Sequence, residues 1–120
     1  MSKLTKPKGQ KIQGERLTSA ERLNRPFIIS FRQKLHRGYR LTDLEIDDLK
    51  DMQRFFDIAS QLSINDMDKQ YRRVSDKNDK VNGQQVQHYG HGDRFRIHGI
   101  YTSDNHFEVI RIDPNHKKHK

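Results

Sequence analysis

The sequence has no cysteine, no tryptophan and no long apolar run among its 120 residues. The absence of cysteine excludes disulfide bonds and thiolate zinc sites, and it is compatible with a reducing compartment. Met1 is followed by a lysine-rich stretch without the apolar segment of a secretory signal, and nothing approaches the length of a membrane span. These absences predict a cytoplasmic protein with no membrane partner.

Apolar residues are also scarce, at 31% of the chain against 33% for charged residues. Residues 1–25 contain seven Lys and Arg residues and two acidic ones, with few apolar side chains to bury. Such a segment cannot offset its chain entropy by burial, so we predict a flexible, disordered basic arm over 1–25. Residues 26–120 are long enough for one domain with a modest core, ending in a short basic tail.

The charge of the chain is basic and unevenly distributed. Lys and Arg number 24 against 16 Asp and Glu, which gives a formal net charge of +8. The basic excess lies towards both ends, whereas acidic residues crowd the segment 43–57. A solubilising surface would account for the net charge alone, but the uneven distribution favours a nucleic-acid partner.

Periodicity predicts a short strand followed by two helices. The apolar, β-prone residues 27–32 indicate a strand. Thr42 and Glu45 form the pattern of a capping box, and apolar residues then recur at helical spacing. Ser63 repeats the capping signal and predicts a second helix that runs to Arg73. The acidic start of the longer helix suits its dipole, and we interpret it as a helix start rather than a metal cluster.

The second half of the sequence has the pattern of a small antiparallel sheet. Residues 75–83 are turn formers without periodicity and predict a mobile loop. A strand over 84–89 and a turn over 90–93 follow. Two β-prone runs, 94–101 and 106–112, then form a hairpin with a four-residue loop. The predicted fold class is therefore α+β, with a small antiparallel sheet packed by two helices.

The register of this hairpin assigns its side chains to two faces. If the loop closes simply, Tyr101 lies opposite His106 and no bulge is needed. The predicted core face carries four apolar side chains: Phe95, Ile97, Ile110 and Ile112. The other face places Arg94 against Asp113, Arg96 against Arg111 and His98 against Val109, with Phe107 nearby.

The pairing of Arg96 with Arg111 is the unusual feature of this face. Like charges directly opposite each other destabilise a sheet unless water screens them or an anion lies between them. Guanidinium groups match phosphate oxygens, so we interpret the face as a phosphate-binding surface; two arginines splayed into solvent are the alternative. The residues predicted to bind nucleic acid are Arg94, Arg96, Phe107, Arg111, Lys117 and Lys118.

Seven histidines are present. His98 lies on the predicted basic face, and His116 follows the last strand. Imidazoles transfer protons near neutral pH, and metal-free RNA cleavage requires an acid, a base and cations for the phosphorane charge. We therefore predict His98 and His116 as catalytic residues, with binding as the alternative role. No spacing typical of a zinc site occurs, and neither a metal nor a cofactor is predicted.

Two resemblances follow from these elements. The element order resembles that of RelE/ParE-like bacterial toxins, and residues 93–97 and 107–112 look like their closing strands. This resemblance implies an RNA-cleaving face lined by arginines, lysines and a late histidine or tyrosine, although here no tyrosine follows the final strand.

The second resemblance is carried by the hairpin and the residues that follow it. Residues 96–100, Phe107 and the stretch 113–117 are similar to the ends of short uncharacterised bacterial and mobile-element proteins with an RVHGF…F…DPxH-like hairpin. This resemblance singles out His98, Asp113 and His116 and supplies no activity.

Three functional hypotheses remain open at this point. The first is a toxin-like endoribonuclease of a toxin–antitoxin, phage or mobile-element system, acting on RNA or on ribosome-bound mRNA and restrained by an antitoxin-like protein. The second is a non-catalytic RNA- or DNA-binding module that uses the same arginines. The third is a phage or plasmid accessory protein that binds another protein through its acidic helix. Only His98 and His116 favour the first hypothesis over the second.

Overall fold

The computed structural model describes residues 19–114 and confirms the α+β class. The helices and strands are α1 (Ser19–Leu23), β1 (Ile29–Ser30), α2 (Ile46–Ala59), α3 (Ile64–Gln70), β2 (Arg72–Arg73), β3 (Lys80–Val81), β4 (Gln84–Gln85), β5 (Gln87–Tyr89), β6 (Arg96–Tyr101) and β7 (Phe107–Asp113). Across this described range, no helix combines the length and apolar character needed to cross a bilayer.

A five-stranded sheet forms the centre of the fold, in the order β1-β7-β6-β5-β2. Its neighbouring strands are antiparallel except for β1 and β7, which are parallel. Helices α2 and α3 cover one face, where Phe55 and Ile64 pack with Ile97 and Phe107 in the main core. The hairpin β3–β4 lies at the other face, where Val81 packs against a smaller cluster. That cluster consists of Val86, Ile100 and Ile110.

The two main helices begin at different kinds of cap. Helix α3 begins at Ser63 as predicted, because the Ser63 hydroxyl accepts a hydrogen bond from the Asp66 amide at 3.1 Å. The predicted start of α2 at Thr42 is wrong, because Thr42 belongs to a separate 3₁₀ turn, Leu41–Asp43. The α2 cap comes three residues later, where the Glu45 amide donates to the Asp48 carboxylate at 2.9 Å.

Two segments predicted to lack structure contain regular elements. Helix α1 lies inside the predicted arm, and its Arg22 guanidinium stands 4.4 Å from the centroid of the Tyr101 ring. The rest of the arm, residues 1–18, lies outside the described residues. The predicted loop over 75–83 is also wrong in its second half, because β3 pairs with β4 across Asn82 and Gly83. Both turn residues have positive φ, 53° and 79°, as a tight two-residue hairpin requires.

The closing hairpin β6–β7 forms in a different register from the predicted one. Its loop has three residues rather than four, because the Thr102 amide donates to the His106 carbonyl and Asn105 adopts a left-handed φ of 63°. Tyr101 therefore pairs with Phe107. A bulge between His98 and Gly99 shifts the register once more. The predicted hairpin pairs are all wrong.

The first shift moves three side chains to the opposite face of the sheet, and one of them is Val109, which is predicted on the basic face and is buried in the main core. Phe107, predicted on the basic face, is fully buried in the main core, and Ile110, predicted in that core, lies in the smaller cluster. The second shift, at the bulge, returns the residues beyond it to their predicted faces. Ile97 therefore lies in the main core as predicted, although its partner is Ile112. Beyond the bulge, Arg96 pairs with Asp113, and His98 pairs with Arg111.

Candidate functional site

Five charged or titratable side chains meet between the sheet and the hairpin β3–β4, and we call them the buried polar cluster. They are Asp79, His88, His98, Arg111 and Asp113. Three neighbouring strands supply four of them, because β5, β6 and β7 place His88, His98 and Arg111 side by side across the sheet. The side chain of His98 is 0% exposed and that of Arg111 is 2% exposed. The part of the predicted basic face that contains His98, Arg111 and Asp113 is therefore enclosed rather than solvated.

Arg111 determines the state of the His98 ring. Its Nη1 lies 3.2 Å from His98 Nδ1, and because a guanidinium can only donate, Nδ1 must accept. The neutral ring then carries its proton on Nε2, which lies 4.0 Å from Asp113 Oδ2. His98 is therefore held between a donor and a carboxylate, with its tautomer set by Arg111.

The second histidine of the cluster lies flat against the first. The rings of His88 and His98 are nearly parallel, with their centroids 3.7 Å apart. Asp79 joins them from a position just before β3: its Oδ1 accepts from Arg111 Nη2 at 2.7 Å, and its Oδ2 lies 3.8 Å from His88 Nε2. The guanidinium thus has a carboxylate on one side and an imidazole on the other.

Arg96 is not part of this cluster. Its guanidinium donates to the carbonyls of Phe95 at 2.8 Å and Gly92 at 3.2 Å, and burial lowers its pKa. Those contacts hold the turn before β6, which also packs tightly at Gly90, where a Cβ atom would stand 2.0 Å from the Phe95 carbonyl oxygen. The predicted clamp of Arg96 and Arg111 on one phosphate does not form.

The other predicted site residues lie apart from one another. Arg94 is exposed and lines a cleft of about 310 Å³ together with His91 and Asp51. In that cleft His91 Nε2 lies 3.8 Å from Asp51 Oδ1, and burial lowers the pKa of His91. Phe107 is in the core. His116, Lys117 and Lys118 lie outside the described residues.

An exposed basic surface, which the sequence pattern alone did not single out, runs along residues 25–40, and we call it the basic strap. Its exposed cations are Arg25, Arg32, Lys34, Arg37 and Arg40. Phe31 stands among them with 55% of its surface exposed. The chain has no acidic residue between Glu21 and Asp43, and this gap is the sequence signal that could have identified the strap.

The strap is fixed to the edge of the central sheet. The His36 amide donates to the Ile110 carbonyl at 2.8 Å, and the Ile112 amide donates to the Tyr39 carbonyl at 2.9 Å. The backbone of the strap therefore runs beside the backbone of Arg111 in β7. A surface groove of about 530 Å³ lies along it. The groove is lined by Lys34, Leu35, Arg37, Arg40, Leu41 and Thr42.

A third polar group joins the helical layer to the sheet. The Tyr89 hydroxyl donates to the Asp68 carboxylate and lies 2.6 Å from the Tyr101 hydroxyl. Burial raises the pKa of Tyr101 to about 12 and raises that of Tyr89 as well. These phenols therefore remain protonated at neutral pH, and their contacts are those of a structural network.

Comparisons with known proteins add no constraint to this geometry, since no family model, curated protein or solved structure matches the chain. The resemblances to toxins and to mobile-element proteins stay predictions. Among residues 19–114, no three His, Asp or Glu side chains are arranged as a metal-binding group. What the arrangement offers chemically is an exposed cationic groove beside an enclosed set of proton-transfer groups around one guanidinium.

Proposed function

We propose that this protein binds single-stranded nucleic acid in the cytoplasm through the basic strap. The observation that supports the proposal is the set of five exposed cations along residues 25–40, uninterrupted by any acidic residue. Each phosphate neutralised by such a cation releases condensed counterions, which is the main source of affinity for nucleic acids. The strap therefore has the charge pattern of a backbone-binding surface.

Phe31 favours single strands over duplexes. Bases that are not paired can stack on an exposed aromatic ring, and such stacking contributes about 1–3 kcal/mol per base with little sequence preference. The Phe31 ring is 55% exposed and directly precedes the exposed Arg32 in the chain, so a base whose phosphate binds Arg32 can reach the ring. The strap thus combines phosphate contacts with a stacking platform, as single-strand binding grooves do.

The test is a titration of labelled single-stranded RNA, single-stranded DNA and duplex DNA at several salt concentrations. Arg32→Ala and Arg37→Ala should each weaken binding and reduce the slope of log K against log salt by about 1, because each removes a phosphate contact. Phe31→Ala should weaken binding to single strands with the salt slope unchanged. Arg54→Ala, an exposed arginine on α2, is the matched control and should change neither quantity.

The proposal fails if the parent protein binds none of these probes at low salt. It also fails if Arg54→Ala lowers affinity as much as Arg32→Ala, because net charge rather than the strap would then govern binding. A duplex bound as tightly as a single strand would remove the role assigned to Phe31.

A second candidate function is cleavage of RNA by a toxin-like endoribonuclease, with ribosome-bound mRNA as a substrate and an antitoxin-like protein as a partner. It is favoured by one observation, the stacked His88 and His98 rings beside Arg111. Two imidazoles and a guanidinium are the groups that acid–base cleavage of a phosphodiester needs. The enclosure of this cluster ranks the candidate second, because an RNA phosphate must first reach it.

Cleavage is tested with labelled RNA in the presence of chelator, with and without ribosomes, and by following growth and RNA integrity after induced expression. His98→Ala should reduce the rate by about 10²–10⁴ with strap binding intact if His98 transfers a proton. Equal rates for His98→Ala and the parent would remove His98 from the mechanism. If the protein binds RNA but cleaves none under any of these conditions, the hypothesis of a non-catalytic binding module is favoured.

A further inference from the structure

We propose that Arg111 and His88 form a binding site for a phosphate oxyanion, and that the carboxylate of Asp79 occupies this site in the closed structure. The two carboxylate oxygens are divided between the two groups: Oδ1 accepts from Arg111 Nη2 at 2.7 Å, and Oδ2 lies 3.8 Å from His88 Nε2. A phosphate presents oxygens to a guanidinium in the same manner as a carboxylate does. The site does not depend on the basic strap.

Arg111 and His88, which would bind the phosphate, lie in the interior of the sheet, whereas Asp79 belongs to a more exposed part of the fold. Arg111 and His88 project from β7 and β5, which lie on either side of β6 in the interior of the five-stranded sheet. Asp79 precedes β3 at the base of the small hairpin β3–β4, whose residues 82–85 are exposed. Small exposed elements open locally at a lower free energy than central strands do. Opening of the hairpin would withdraw Asp79 and leave the sheet in place.

The hairpin and Asp79 are attached to the sheet by a small number of identified contacts, and opening must break each of them. The amide of the fully buried Val86, which directly precedes β5, donates to the Asp79 carbonyl at 2.8 Å. Val81 packs against Val86, Ile100 and Ile110, and Gln84 Nε2 donates to the Tyr101 carbonyl at 3.1 Å. Together with the Asp79–Arg111 ion pair these contacts close the site. Asp79 therefore occupies the site and also helps to hold the hairpin β3–β4 against the sheet.

The charges of the cluster favour an anion once Asp79 leaves. Arg111 would then face the neutral Nδ1 of His98, and a buried guanidinium that loses its carboxylate is strongly disfavoured. The second acid, Asp113, lies on the far side of the His98 ring, 4.0 Å from Nε2.

The experiment measures the effect of inorganic phosphate on the full chain, against chloride at equal ionic strength, by thermal melting and by NMR of the histidine ring protons. Asp79→Ala should bind phosphate at least about tenfold more tightly than the parent, because an internal competitor lowers apparent affinity by the fraction of time that it occupies the site. Its Tm should rise with phosphate concentration more than that of the parent. Asp76→Ala, which removes an exposed acid from the same segment, is the matched control and should behave as the parent does.

Two further variants keep the test decisive if Asp79→Ala is poorly folded. Asp79→Asn retains an oxygen for Arg111 and loses the charge, so it should fold and show a smaller gain in phosphate affinity. The double variant Asp79→Ala/Arg111→Met removes both charges and should fold without responding to phosphate. Folding of Asp79→Ala in phosphate but not in chloride would support the site.

A parallel titration with a short oligouridylate distinguishes the sources of the phosphate. Gain of affinity for the oligomer alone assigns the site to nucleic acid, whereas gain for inorganic phosphate alone assigns it to a free ion. Arg37→Ala separates this result from the strap, since it should weaken binding of the oligomer to the parent and leave the phosphate response of Asp79→Ala intact. The proposal is overturned if Asp79→Ala and Asp79→Asn fold without gaining phosphate affinity, if both fail to fold in phosphate, or if Asp76→Ala gains as much.

Discussion

Gly99→Ala tests the bulge that aligns His98 with Arg111. A Cβ atom at position 99 would stand 2.3 Å from the Glu108 carbonyl oxygen and 2.8 Å from the Phe107 ring. Neither neighbour can retreat easily, because one is backbone of the paired strand and the other is a fully buried ring. Overpacking of this kind costs about 1–3 kcal/mol, so Gly99→Ala should be destabilising by that amount.

The sign of the effect discriminates between the two registers. In the hairpin without a bulge, Gly99 would be an ordinary strand residue, and alanine there would stabilise by about 0.5–1 kcal/mol. Urea unfolding followed by circular dichroism and by tyrosine fluorescence measures the difference, and Tm should fall by about 4–8 °C per kcal/mol. Gly83→Asn is the control, because position 83 has open space and a left-handed φ that asparagine tolerates. A stable Gly99→Ala protein would refute the bulge and the alignment built on it.

Two other predictions follow from buried polar groups. Because burial raises the pKa of Tyr101 to about 12, the folded chain keeps a proton that the unfolded chain loses near pH 10, so stability should be complete below about pH 10 and should fall as pH rises towards 12. Alkaline unfolding curves measure this loss, which Tyr101→Phe should reduce but not abolish, because burial raises the pKa of Tyr89 as well; identical curves would contradict the prediction. Arg96→Met should destabilise by about 1–3 kcal/mol, since the carbonyls of Phe95 and Gly92 lose their donor. Thermal melting measures this change. If Arg96 were instead paired with Arg111, its removal should leave stability unchanged or raise it.

Local signals account for what the sequence could predict of this fold. The Ser63 cap and the division of the chain into a helical layer and a sheet depend on short-range pattern, and both are present. The register of the hairpin β6–β7 depends on two positions that the alternation of apolar and polar residues does not identify. Asn105 shortens the loop through its left-handed conformation, and Gly99 makes room for the Phe107 ring. Each of these residues moves the register by one position. Simple alternation along the two strands therefore cannot predict which residues of β6 and β7 pair.

The site was mispredicted for a related reason, since the partner of Arg111 lies 32 residues away in the chain. The turn formers of residues 75–83 predict a loop, although Asn82-Gly83 is also the strongest short hairpin signal. A hairpin at Asn82-Gly83 places Asp79 next to a strand, where its carboxylate can be the counter-charge of a buried arginine. The basic strap becomes evident in the sequence when charge is compared within the segment 22–42, rather than between the two ends of the chain and its middle.

The two cationic regions differ in where their counter-charge comes from, and this difference argues for the strap as the place of first contact with a polyanion. In the buried polar cluster, Arg111 is matched by Asp79 and Asp113 lies beside His98, so the cluster attracts an outside anion only after it opens. Along residues 22–42 six Lys and Arg side chains have no acid within the segment, although one of them, Arg40, lies 3.9 Å from the flanking carboxylate of Asp43. An excess of positive charge on an exposed groove attracts a phosphate chain without requiring the fold to open first. Binding at the strap should therefore precede, and be separable from, any event at Arg111.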